Sequence, residues 1–332
     1  KYKVIIWLAP PMISIFQKSV VRSKMKRLED FRIFYNHTIY PELKRMEKKR
    51  NHLILLIGIS ALLCIVLFII AQILHIFSLS LLVILLEIFY VLYLIHRIRK
   101  YIQTFKPRIM NLILDFIDDS INYGTLVYKA DGSIDKKTFL DSKIFFPRAM
   151  NYESEDYIKG NIGSISFELA ETRVTEYSRV RNTQDWVFDG VFMKAKLQLP
   201  IKGSLLIIPR EEKPYLSKTI KHWMSSGHVK AYDLIRNKTF RKLFETFANK
   251  KSNPMQFLTE GLQESIIKYT ELHDKLFYLS YNNGTIYLAV SEEKDILEPH
   301  LFKSNLRFSL IKEFYEDVYI LLQILEDLDL HH

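Results

Sequence analysis

The amino-acid sequence predicts a membrane-anchored α+β protein: a two-helix transmembrane hairpin, a cytoplasmic helical stalk, and a cytoplasmic α+β domain containing an antiparallel sheet. Three observations predict it. Two apolar runs lie between Leu53 and Ile95, separated by one short break, and dense positive charge flanks both outer ends. Beyond residue 157 several strand patterns follow one another without intervening helices, which is the pattern of an antiparallel sheet. The expected divisions are a basic amphipathic arm (1–52), the hairpin (53–96), a helical extension (97–121), the α+β domain (122–330) and a purification-tag remnant (331–332).

Leu53–Leu74 holds 22 residues without a charge, and Gln72 is its one amide. As a helix it is about 33 Å long, against a hydrocarbon core of about 30 Å. Leu79–Ile95 is shorter and carries Glu87, whose cost of insertion, about 3 kcal/mol if ionised, is outweighed by its Leu, Ile, Val and Phe residues. A buried soluble helical pair is the alternative, but such helices seldom run apolar all round. Glu87 is either an ion or subunit-contact site or a carboxyl hydrogen-bonded within the helical pair, near Gln72 or Tyr90. Cys64 is an apolar filler.

Lys44, Arg45, Lys48, Lys49 and Arg50 precede the first span, and Arg97, Arg99, Lys100, Lys106 and Arg108 follow the second, whereas His75–Ser80 has no Lys or Arg. The positive-inside rule therefore puts both termini in the cytoplasm, with these cations against anionic headgroups. Residues 1–108 hold 18 Lys and Arg against 5 Asp and Glu, and the remainder 29 against 32, so the basicity is membrane-proximal and gives no reason to expect nucleic acid. One Cys excludes an intramolecular disulfide and a multi-Cys zinc site. The sequons at Asn36, Asn237 and Asn283 are chance matches on cytoplasmic segments. No cleavable signal is expected, because Val4–Phe16 is short and broken by Pro10-Pro11.

From Gln17 to Arg50 apolar residues recur at helical spacing, with Pro41 expected to start a new turn or kink. After the second span, helix is expected through Tyr101 and again after Pro107 to Ile121, the two extensions packing as a stalk. Phe139–Phe146 reads as a short strand. Strands are then expected at Tyr157–Gly160, Ser164–Glu168, Thr172–Ser178, Val187–Leu197 and Ser204–Ile208. Helical signals return at Leu216–Trp223, Val229–Ile235 and Pro254–Ile267, with Phe240–Ala248 a helix followed by a strand. Leu276–Tyr281 and Thr285–Val290 flank Asn282-Asn283-Gly284, the signature of a tight hairpin. Ser309–Leu328 closes the chain as an amphipathic helix.

Glu155–Gly160 with Gly163 and Ser166–Glu171, the Phe188-x-Gly190-x-Phe192 element within Trp186–Leu197, and Leu297-Glu298-Pro299 with the closing helix make the chain resemble the bacterial membrane proteins of domain of unknown function 3137. The resemblance runs over about residues 53–330 and implies the paired membrane segment and the α+β domain, but no activity. Family members often have His-Trp where Gln184-Asp185-Trp186 stands here, so a role for that His is not shared. The resemblance also implies a LemA-like helical membrane protein as a neighbour.

No phosphate-binding loop, dinucleotide fingerprint, zinc-protease, nucleophile-elbow or EF-hand motif occurs. Gly160-Asn161-Ile162-Gly163 lies between strands and reads as a tight turn, not a nucleic-acid clamp. His222 and His228, and Glu168 with Glu171, are the candidates for an enzyme pocket, the glutamates otherwise facing solvent or pairing with Arg173. Trp186, Phe188 and Phe192 are the candidate partner-binding surface, with a buried sheet core as the alternative. No cofactor or metal is expected. The expected function is a scaffold or regulatory binding module in an oligomeric membrane complex. The alternatives are a pore subunit using Glu87 and an enzyme of unrecognised type.

Overall fold

The computed structural model describes residues 28–73, 77–120, 123–147, 150–178, 181–197, 202–213, 216–249, 258–292, 299 and 301–329. Val4–Phe16, the start of the expected helix at Pro254, Leu297-Glu298 and the closing histidines lie outside them.

Two long helices open the described chain. Helix α1, Leu28–Ile73, contains a π-helical turn at Tyr35–Ile39, where the Tyr40 N–H donates to the Tyr35 carbonyl. Pro41 follows directly. Having no N–H for the His37 carbonyl, it would crowd an ordinary turn, and the wider one accommodates it. The new turn or kink expected at Pro41 is thus a widened turn just before it, within one continuous helix. Helix α2, Phe77–Ser120, runs through Pro107 without a restart, contrary to the sequence expectation. An interior proline costs about 3 kcal/mol. Phe105, Ile109, Met110, Ile113, Leu114 and Ile117 are all 2% exposed or less around it, and burying each such side chain contributes roughly 1.5–3 kcal/mol. Burial wins. The same numbers correct the expected stalk: this half of α2 is a core helix.

The chain divides into two compact units, residues 1–101 with 301–308, and residues 102–300 with 309–332. In the first, Phe31, Tyr35, Ile39, Leu43 and Met46 form a buried stripe on α1. The stretch 301–308 lies along it. The Tyr35 hydroxyl donates to the Leu306 carbonyl at 3.0 Å, the Tyr35 and Phe308 rings meet edge-on at 4.9 Å, and the Asn305 N–H donates to Glu47 Oε2 at 3.2 Å. Arg50, expected at the headgroups, is buried instead, paired with Glu47 at 2.5 Å and donating to the Lys303 carbonyl. Lys44, Arg45, Lys48, Lys49, Arg97, Arg99 and Lys100 are exposed.

Among the described residues the second unit is built on nine strands: β1 Tyr123–Lys129, β2 Met150–Ile162, β3 Ile165–Ser178, β4 Thr183–Lys196, β5 Leu205–Pro209, β6 His228–Lys230, β7 Phe244–Asn249, β8 Phe277–Asn282 and β9 Thr285–Ser291. Their order is β1-β2-β3-β4-β9-β8-β5-β7-β6, and every pairing is antiparallel. Three expected short strands merge into the long β2–β3 hairpin, whose turn is Gly163-Ser164. The β8–β9 turn is as read: Asn283 and Gly284 both have positive φ, at 52° and 76°.

Helices α3 Lys136–Asp141, α4 Ser217–Ser225, α5 Lys238–Leu243, α6 Glu260–His273 and α7 Phe308–Asp329 complete the unit. Phe139–Phe146 is therefore not a strand: Asp135 caps α3 by accepting the Thr138 N–H, and Phe139 and Phe145 stack at 5.5 Å in the core. Val229–Ile235 is not a helix but β6 and a 3₁₀ turn, Tyr232–Leu234. The strand forms because His228–Lys230 pairs with the end of β7.

Alternation divides the sheet into two faces. Ala170, Val174, Phe188, Phe192, Tyr278, Tyr287 and Ala289 pack with Phe139, Phe145 and Trp223 on one. Ile158, Leu169, Glu171 and Val191 meet Met110 of α2 and Phe314, Val318 and Leu321 of α7 on the other. Gly190 lets β4 close on β9. Its φ is +147°, and a Cβ there would stand 2.1 Å from the Val290 carbonyl oxygen and 2.7 Å from the Glu292 nitrogen. Replacing it by alanine is expected to cost at least about 1–3 kcal/mol from backbone strain alone. A chemical denaturation midpoint equal to that of the parent would refute this account of the Phe-x-Gly-x-Phe element.

Candidate functional site: a buried ion network beside a small cavity

The helix-covered face of the sheet contains charge. In β2 the register slips between Glu155 and Ile158, and Asp156 takes a left-handed conformation, φ 58°, which asparagine and aspartate tolerate best after glycine. Its N–H donates to the Ala130 carbonyl at 3.1 Å, and Oδ1 accepts from the Tyr128 hydroxyl. In β3, Glu171 shares its face with Phe167 and Leu169 and stands directly opposite Glu155 in the register. Like charges opposed in this way destabilise a sheet. Oxygens of Glu155, Asp156 and Glu171 all lie within 4.8 Å of one another.

Two cations offset that repulsion. Lys106 of α2 places Nζ 2.5 Å from Asp156 Oδ2 and 3.5 Å from Glu171 Oε2. Arg173 reaches Glu171 at 2.5 Å, Glu155 at 3.4 Å and Asp189 at 3.6 Å. The ammonium thus stands where a metal ion among these carboxylates would stand. Burial nevertheless dominates at Glu171 and pushes its carboxyl up to about 7, although Lys106 and Arg173 pull the other way.

A second network lies on the same face. Lys275 is 2.8 Å from Asp317 Oδ2 and also pairs with Glu292, while His273 Nδ1 is 3.8 Å from Asp317 Oδ1. Burial pushes the Asp317 carboxyl up to about 6, against the pull of Lys275. Asp156, Glu171 and Asp317 together line a cavity of about 20 Å³, with Leu169, Val191 and Phe314 among its apolar walls. That is room for about one water molecule, not a substrate. The arrangement can take up protons and hold α2 and α7 to the sheet.

The other candidates fall elsewhere. Glu168 is half-buried in β3, within the same uninterrupted strand as Glu171. His222, on α4, lies against Phe146 at 4.5 Å; His228, on β6, contacts Ser204 Oγ at 2.5 Å and the Trp223 carbonyl at 3.0 Å. Strands β3 and β6 are six places apart, roughly 29 Å at the usual strand spacing, so these residues form no shared pocket. Phe188 and Phe192 are 4% and 0% exposed, and only Trp186 of that trio, at 67%, offers a surface. For both phenylalanines it is the buried sheet core, the alternative to a partner-binding surface, that the structure has: they point into the core from β4. Glu87 accepts from the Ser60 hydroxyl on α1, not from Gln72, which is exposed.

Sequence reading passed over Asp156, Lys275 and Asp317 and counted Lys106 among membrane-flanking cations; of the two places expected for Glu171, solvent or Arg173, the pairing with Arg173 is present and the exposure is not. A signal was present: Glu171 alternates with Phe167 and Leu169, and Asp317 falls at helical spacing between Phe314 and Leu321. A charge on an apolar face requires a buried partner.

Residues 186–330 match the family model described as protein of unknown function, DUF3137. Over these residues the chain is similar to that family. The DUF3137 match begins in β4 and takes in β5–β9 and all of α7, so it contains Asp317 and Lys275 but neither Glu171 nor the apolar helices. No curated protein and no solved structure matches the chain.

Lys106→Met keeps the apolar stem but strands two buried carboxylates, and a loss of about 3–5 kcal/mol is expected in denaturation of the detergent-solubilised chain. Adding Glu171→Gln should recover part of it, and a purely additive double variant would refute the pairing. The pH dependence has a definite sign. The folded state holds the Glu171 proton up to about pH 7, whereas the unfolded chain releases it near 4.5, so stability falls as pH rises through that window. Glu171→Gln should therefore gain on the parent between those limits, by up to the order of 3 kcal/mol. A constant difference between variant and parent would remove Glu171 as the titrating group.

Proposed function

We propose that the protein is a membrane-anchored cytoplasmic binding module that acts within an oligomeric assembly of a bacterial inner membrane. The observation that carries the anchoring is the exposure of α1 and α2: their most apolar 18-residue windows are only 11% and 6% buried. Leu62, Ile73, Leu81 and Phe89 are each more than 60% exposed, an apolar surface that water does not tolerate and lipid covers. Phe302 adds to this reading. It is 84% exposed, and its neighbour Lys303 is bonded to Arg50, three residues before the first span, the level at which aromatic side chains favour a membrane interface.

The exposed cations before the first span and after the second support cytoplasmic termini. Helix α2 supports a module that works through its anchor, because one helix supplies both the second apolar window and six residues of the α+β core. Oligomerisation rests on two spans alone being unable to cover one another fully; a LemA-like helical protein is the heteromeric candidate.

Topology is tested with single cysteines in a Cys64→Ala background. His75→Cys should react with a membrane-impermeant maleimide in intact cells, and Lys129→Cys only after lysis. The reverse pattern would invert the orientation, and a carbonate-extractable chain would end the anchoring proposal. Mass measurement after gentle detergent extraction should give a defined assembly, homomeric or with a helical membrane partner. A clean monomer would refute the assembly.

A further inference from the structure

At the far end of the sheet from the ion network, cations converge without matching anions. Between residues 210 and 242 the chain has nine Lys and Arg against three Asp and Glu, inside a domain that is otherwise acidic. Arg210, Tyr232, Lys238, Arg241 and Lys242 line an open groove of about 400 Å³. That volume is within the range of small-ligand sites.

The two arginines are held in place. Arg210 Nη2 donates to the Arg241 carbonyl at 2.7 Å, and the Arg241 guanidinium lies 4.5 Å above the Tyr232 ring. The Nε atoms of both arginines are buried without an acceptor. Lys238 and Lys242 extend from α5 and are exposed. The nearest compensating carboxylate is Glu245, and it is shared among Arg210 at 3.3 Å, Lys213 at 3.1 Å and Lys230 at 3.7 Å. One carboxylate cannot neutralise three cations and leave charge for Arg241, Lys238 and Lys242. The Arg241 guanidinium, held over Tyr232 beside the exposed Lys238 and Lys242 ammonium groups, matches a compact polyanion, since phosphate oxygens accept from a guanidinium in pairs.

We propose that this groove binds a phosphate-bearing anion, either a soluble polyphosphate or the headgroup of an anionic lipid. Its cations repel one another until such an anion enters. Neither the groove nor its test depends on oligomerisation, and the soluble source does not depend on the anchoring proposal.

The test is titration calorimetry on the full chain in a neutral detergent, with inorganic pyrophosphate and short-chain phosphatidic acid as separate probes. Saturable one-site binding of at least one probe is expected. Lys238→Glu with Lys242→Glu should weaken it tenfold or more, whereas Lys136→Glu with Lys137→Glu, exposed on α3, should not. The glutamate pair lies on the surface, and an unchanged melting temperature verifies its fold. Tighter pyrophosphate binding assigns a soluble ligand, and tighter phosphatidic acid binding a lipid. Failure of both probes to bind below about 1 mM, or equal binding by the Lys238/Lys242 variant, overturns the proposal and leaves the groove to an acidic protein surface.

Discussion

The second unit depends on the burial of one ammonium group. Lys106 enters an otherwise apolar layer between α2 and the sheet, where an isolated ion would cost several kcal/mol. Its neighbours are arranged around that cost. The bulge in β2 turns Asp156 inward, β3 supplies Glu171 from the same face as Leu169, and Arg173 absorbs the charge left over on Glu155 and Asp189. Phe105 and Ile109 on either side of Lys106 hold the helix down despite Pro107. An apolar replacement of the whole set would satisfy packing equally well. The ionic version adds a requirement of position: α2 slipped by a turn would withdraw Lys106 and leave Arg173 alone to face the carboxylates of Glu155, Asp156 and Glu171.

Opposite-signed surpluses are kept apart in this domain. Carboxylates are in excess where helices cover the sheet, and their protons are held by burial. Cations are in excess at the β5–β7–β6 end, where solvent reaches Lys238 and Lys242. Glu245 is the carboxylate clamped there, by Arg210, Lys213 and Lys230, and a single negative charge shared among three cations leaves the surplus in place.

Much of the fold was legible because its signals are local. The apolar runs on α1 and α2, the Asn283-Gly284 turn and the stripe of α7 each reside within a few turns or strands of sequence. What was missed depends on distant partners. Pro107 reads as a break until the packing of the residues around it is known, and Val229 reads as helix until β7 pairs with His228–Lys230. Phe139 carries strand propensity, but Asp135 caps a helix there. The ion network was half legible: the face of Glu171 follows from alternation, whereas the inward turn of Asp156 follows from a bulge that leaves no periodic trace. The basic groove was hidden by averaging, since a domain net charge near zero conceals a local excess.

The order of strands has a consequence for synthesis. Strand β4 borders β3 on one side and β9 on the other, so Lys196 must wait for Thr285 to emerge. At about 5–20 residues per second that interval is roughly 5 to 20 seconds. Throughout it the nascent chain presents the open edge of β4 to every neighbouring polysome product, and an open edge is a template for the wrong strand. The β8–β9 hairpin, quick to form from its Asn-Gly turn, is therefore the piece that ends the exposure, joining two half-sheets that until then have no bond between them.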